Sequence, residues 1–138
     1  MTRRSPIKTL LRVAELQEAV ARGAAGRALS TAQQAERAHA DEVAHLSAAG
    51  LAGGTRQALE ATTQTRILRA ETVVTLAAEF EQAQRQQHVA VQAWTESRRR
   101  HRLFEELAAR QHSEALAQQE KTSQRLADDL AGLKRERR

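Results

Sequence analysis

The sequence predicts an all-α protein: two long, unequal helices in an antiparallel coiled-coil hairpin, with the C-terminal helix overhanging its partner. Three observations predict it. Helix formers dominate, since alanine supplies roughly a fifth of the 138 residues and leucine, arginine, glutamine and glutamate much of the remainder. The only proline, Pro6, stands near the start, so no helix-breaking ring interrupts the rest of the chain. Apolar residues recur at alternating steps of three and four, the seam spacing of a coiled coil. Leu, Ile, Val and Phe together make up just under a fifth of the chain, and aromatic residues 2%. That is too little for a thick core and enough for the narrow seam between two helices, which excludes sandwiches, barrels and Rossmann-type folds.

Helix 1 is expected over about residues 5–48. Ser5 offers a capping oxygen to the first free amides, and Pro6 suits the first helical position. Gly23 and Gly26 each cost a helix interior about 1 kcal/mol relative to alanine, so local softness is expected there. The small-residue run from Ala48 to Gly54 marks the turn, placed at 49–54, and Thr55 is the candidate cap for helix 2, about 55–136. Residues 1–138 thus read as a single coiled-coil domain.

Helix 2 carries the sharper pattern: Val73, Leu76, Phe80, Ala83, Gln87, Ala90 and Trp94 keep the seam spacing. A second run, Leu116, Gln119, Ser123, Leu126, Leu130 and Leu133, keeps it one position out of phase, with Leu103, Phe104 and Leu107 bridging the slip. In helix 1 the expected seam begins with Leu10, Val13, Leu16 and Val20, crosses an alanine-rich middle and ends with Val43 and Leu46. The expected core is led by Leu10, Val20, Val73, Leu76, Phe80 and Trp94. At about 1.5 Å per residue the helices span roughly 65 and 120 Å. Folding back near residue 51 sets Ile7 beside Arg98 and leaves the last forty or so residues of helix 2 without a partner in the chain. They retain an apolar stripe, and such a stripe marks an interface.

The chain has 22 basic and 17 acidic residues, a net +5, and no cysteine. Disulfides, thiolate chemistry and cysteine-held zinc are therefore absent. Basic residues gather at Arg3, Arg4, Lys8 and Arg12, at Arg98, Arg99, Arg100 and Arg102, and at Lys134, Arg135, Arg137 and Arg138. These clusters suit a solvated surface or a partner with an acidic face. Interspersed acids and the shortage of aromatics for stacking argue against nucleic acid. Two Glu-x-x-His pairs, Glu36/His39 and Glu42/His45, have the spacing of di-metal bundle ligands, but helix 2 offers no matching pair to complete a shell. His101 and Glu105 are expected to form an ordinary surface pair. No phosphate loop, nucleophile elbow or cleft-forming constellation is present, so neither catalysis, a cofactor nor a small-molecule substrate is expected. No apolar run reaches the roughly 18 residues of a membrane span. A cytoplasmic protein is expected.

With these residues in view, the sequence resembles the FliJ family of bacterial flagellar type III export. Leu10-Leu11-Arg12-Val13-Ala14-Glu15-Leu16-Gln17-Glu18 is similar to the family's N-terminal helix, with its leucine pair, basic residue and spaced glutamates. Trp94, Arg98, Arg102, Leu103, Leu107 and Arg110 resemble its tryptophan, basic run and leucines, and Glu120, Lys121, Asp128 and Asp129 its charged C-terminal helix. The family has aromatics near the turn, where this chain has Thr62 and Thr63 and no tyrosine at all. The resemblance implies a non-enzymatic export component similar to the central stalk of rotary ATPases. It would bind the hexameric export ATPase, contact the cytoplasmic domain of the export gate and handle export chaperones. It would sit at the cytoplasmic face of the inner membrane through that apparatus. ATPase contacts are then expected at Arg3, Arg4, Lys8, Leu126, Leu130, Arg135 and Arg138, and gate contacts at the turn-proximal Val43, Leu46, Leu68 and Phe80. Two other classes fit the residues: a homodimeric coiled-coil scaffold, and a basic helical binder of nucleic acid or anionic membrane surface.

Overall fold

A computed structural model of the chain describes residues 6–49 and 54–137. Two α-helices account for nearly all of them: α1, Pro6–Ala48, and α2, Arg56–Glu136. No strand occurs among the described residues, and the two helices pack against each other. Thr55 caps α2 as expected: its Oγ1 accepts from the Ala58 amide at 3.4 Å and its carbonyl from the Leu59 amide at 3.2 Å. The proposed cap Ser5 lies outside the described residues. α1 runs unbroken through Gly23 and Gly26, and the last turn closes with the Ala49 amide on the His45 carbonyl at 3.1 Å.

Both helices contribute to two units. One comprises Ala19–Glu96; the other joins the chain up to Glu18 with the chain from Ser97 onward. In the first unit, α1 turns inward a row stepping by three and four: Ala21, Ala25, Ala28, Ala32, Ala35, His39, Glu42 and Leu46. The α2 row is Val73, Leu76, Phe80, Ala83, Gln87, Ala90 and Trp94, the spacing read from the sequence, and it extends back through Arg69, Arg66 and Thr62. One side is mostly alanine and the other carries the bulk, so small side chains on α1 leave room for the valine, leucine and aromatic residues of α2. Glu42 accepts from Arg69 Nη1 at 3.1 Å, a half-buried ion pair linking the two helices. Leu46 lines a shallow groove with Thr63, Arg66, Ile67 and Ala70. The end of α1 therefore meets α2 about three turns in from its start.

In the second unit the α1 row is Ile7, Leu11, Ala14 and Glu18, and the α2 row is Ser97, His101, Phe104 and Ala108. Glu18 bonds the His101 Nδ1 across the two helices, and Glu105 lies 3.5 Å from Nε2 of the same ring. Beyond Ala108 every described residue is exposed.

Two expectations are corrected. Leu10 and Val20 are not core: Val20 is 70% exposed, whereas Ala14 and Ala32 keep only 2% and 4% of their surface. Leu10, Val13 and Leu16 are exposed as well. The seam of α1 runs on the neighbouring positions, because seven-residue geometry selects a continuous row, and only the row of small residues fits against the large ones of α2. The free part of α2 also starts later than expected, after Ala108 and not near Arg98. Pairing begins about three turns into α2, which slides the partner of each α1 residue toward the C-terminus. Val73, Leu76, Phe80 and Trp94 are half-buried on the row assigned to them.

Candidate partner-binding surface

The C-terminal part of α2 differs from the rest because no residue in it, apolar or polar, is covered by α1. From Ala109 to Arg137 no residue is even half-buried. Within that stretch Leu126, Leu130 and Leu133 are 59%, 63% and 58% exposed. They recur by four and three, so they share one helix face, with Leu116 further back along the same stripe. Alanine, glutamine and arginine elsewhere in the segment favour the helix by their intrinsic propensity. The inward row of the second unit, stepped onward from Phe104 and Ala108, would reach Gln111, Ala115, Gln118, Thr122 and Arg125. The leucines stand one residue later, about 100° around the helix. The face offered to a partner thus differs from the face that α1 covers.

The residues expected to bind partners are scattered. Lys8, Leu126, Leu130 and Arg135 are all exposed and all belong to the second unit, so the charge near the start of α1 and the leucine tail occur in the same unit. Arg3, Arg4 and Arg138 lie outside the described residues. Of the turn-proximal set, Val43 and Leu68 are exposed and Leu46 and Phe80 half-buried, all in the first unit. Leu46 and Phe80 belong to the inward rows and reach a partner only if the helices part.

Histidine chemistry is organised differently from the spacing read in the sequence. His101 is no simple surface pair, since its two ring nitrogens face Glu18 and Glu105. A neutral imidazole donates through one nitrogen only, whereas the imidazolium serves both carboxylates. Among the described residues no group of three or more His, Asp or Glu side chains is placed to hold a metal ion. The carboxylates around His101 occupy opposite edges of one ring. Glu42 of the second Glu-x-x-His pair bonds Arg69 instead. Trp94, the chain's only tryptophan, buries its indole Nε1 without a hydrogen-bond partner, and the ring packs as an apolar body.

Surface concavities are shallow and helix-sided: one lies along Arg56–Gln64 on α2 alone, another between Thr31 and Ala35 of α1 and Thr75–Gln86 of α2. No described helix is long and apolar enough to cross a membrane. No family model, curated protein or solved structure matches the chain.

Sequence reasoning missed the polar members of the inward rows Glu18, His39, Glu42, Thr62, Arg66, Arg69, Ser97 and His101. A signal was present: each falls on the three-and-four spacing when that spacing is read without regard to hydrophobicity.

Proposed function

We propose that this chain is a non-enzymatic partner-binding component of the bacterial flagellar type III export apparatus. In this reading it is an antiparallel coiled-coil hairpin whose free C-terminal helix engages the hexameric export ATPase and couples it to the export gate, with export chaperones as further partners. The antiparallel register that satisfies both pairs of rows sets Ala32 opposite Ala83 and Ala35 opposite Phe80 in one unit. In the other it sets Leu11 opposite Phe104 and Ile7 opposite Ala108. It accounts for the end of half-burial at Ala108, because α1 has no residue left to offer.

The observation that carries the proposal is the exposed leucine stripe from Leu116 to Leu133 on a helical segment that α1 does not cover. Fully burying a leucine contributes about 1.5–3 kcal/mol, so the four together are comparable with the cost of association and form the apolar centre of an interface to which the flanking residues must add. Lys134 and Arg135 beside the stripe suit an acidic rim on the ATPase, and such charges set rate and specificity more than affinity. The reaction would be mechanical or allosteric coupling, with no covalent step in this chain, at the cytoplasmic face of the inner membrane. The resemblance to the FliJ family supplies the identity of the partners; the fold supplies the surface.

The test is titration of the purified flagellar export ATPase with the full chain and with the Leu126→Ser, Leu130→Ser double variant. The variant is expected to bind at least tenfold more weakly while its helix content is unchanged. Equal binding by both would remove the tail from the interface.

A further inference from the structure

A second apolar surface stands apart from the tail, on the paired part of the second unit. On α2, Arg100, Leu103, Leu107 and Arg110 follow one another by three, four and three, so two leucines lie on one face between two arginines. Leu103 is 54% and Leu107 37% exposed, although the row beside them, His101, Phe104 and Ala108, turns inward. On α1, Leu10 and Val13 form a similar exposed pair beside the inward row Ile7, Leu11 and Ala14. Leu10 immediately precedes Leu11, which is followed on its row by Ala14. Leu107 immediately precedes Ala108 and follows Phe104 by three, as Leu10 follows Ile7 by three. In antiparallel helices such like-placed flanking positions lie on the same side of the seam. On the antiparallel pairing proposed above, the two exposed pairs therefore flank the seam on one side.

We propose that a groove on that side, walled by Leu10 and Val13 on α1 and by Leu103 and Leu107 on α2, docks a third helix: an amphipathic helix of another protein, with a leucine-like stripe and acidic flanks. The stripe would fill the groove, converting a two-helix seam into a three-helix core. The acidic flanks answer Arg100 and Arg110, which close the apolar stretch of α2 at either end. A second copy of this chain is the poorer occupant, because it carries a net +5 and the same arginines. The inference rests on the antiparallel pairing proposed above but not on the export assignment.

The experiment uses the full chain and two synthetic labelled helical peptides that share one leucine stripe, flanked by glutamates in one and by lysines in the other. Fluorescence anisotropy at low and physiological salt should show the glutamate-flanked peptide binding at least tenfold more tightly. The Leu10→Ser, Leu107→Ser variant should lose that binding at least tenfold while circular dichroism at the assay temperature shows its helix content retained, since both side chains are partly covered. The Leu126→Ser, Leu130→Ser variant should keep it. Equal affinity for the two peptides, or loss in the tail variant with retention in the groove variant, would overturn the proposal. So would sedimentation of the free chain as a dimer that the groove variant dissociates, which would make a second copy the occupant. Failed peptide binding with intact ATPase binding removes the groove and leaves the tail; the reverse outcome removes the export reading and leaves the groove.

Discussion

At the scale of single residues, alanine decides the packing. Ala14, Ala25, Ala32 and Ala83 are the buried hydrophobic residues among the described ones, and none is large. Overfilling such a position forces side chains off their rotamers and separates the helices, at a cost of about 1–3 kcal/mol. Ala32→Leu is therefore expected to lower the thermal midpoint measurably. Val20→Ser, on an exposed position, should change stability by no more than about 0.5 kcal/mol. Parallel thermal melts followed by circular dichroism check the pair. A larger loss at Val20 than at Ala32 would return the seam of α1 to the row of large residues. The row was hard to read for this reason: hydrophobic periodicity weights Leu10, Val13, Leu16 and Val20 above alanine, although it is alanine that fits.

At the scale of the helices, the sequence pattern was informative in proportion to side-chain size. The α2 row from Val73 to Trp94 could be read from spacing alone, and so could the boundaries, because Thr55, Pro6 and the glycine run are strong punctuation. The offset between the helices could not. A turn of small residues limits how far the chain travels before pairing but does not say where pairing starts, and Leu46 meets α2 at Ile67 and Ala70. The absence of native cysteine makes the register directly testable. Cysteines at Ala32 and Ala83 are expected to form an intramolecular disulfide under mild oxidation, raising stability by about 2–4 kcal/mol. Cysteines at Ala25 and Ala83, one heptad out of step, should not close. Mass spectrometry after alkylation distinguishes the two, and bridging by the second pair alone would refute the register.

At the scale of the whole molecule, the chain divides its labour between covered and uncovered apolar surface. The described residues from Ala109 to Arg137 are all exposed, so their removal should cost the paired part little. Truncation after Ser113 is expected to leave the melt of the paired helices within a few degrees of the full chain while abolishing ATPase binding. Loss of cooperative melting on truncation would show that the tail supports the fold and is not held for a partner. The tail was legible in the sequence as a leucine stripe out of phase with the seam, because that phase slip needs no structure to be counted. Its starting point and the groove beside it were not legible, since both depend on the register between helices.

On the proposed reading, the exposed helix of this chain engages the flagellar export machinery. The most direct test is affinity capture with the full tagged chain from nuclease-treated lysate of its native cell, at low and high salt, with bound proteins identified by mass. Recovery of the export ATPase or a gate component at both salts, and its loss with the Leu126→Ser, Leu130→Ser variant, is the predicted result. Recovery of the chain alone, or of nucleic acid that washes away as salt rises, would contradict the account and leave a self-pairing scaffold or a basic binder in its place.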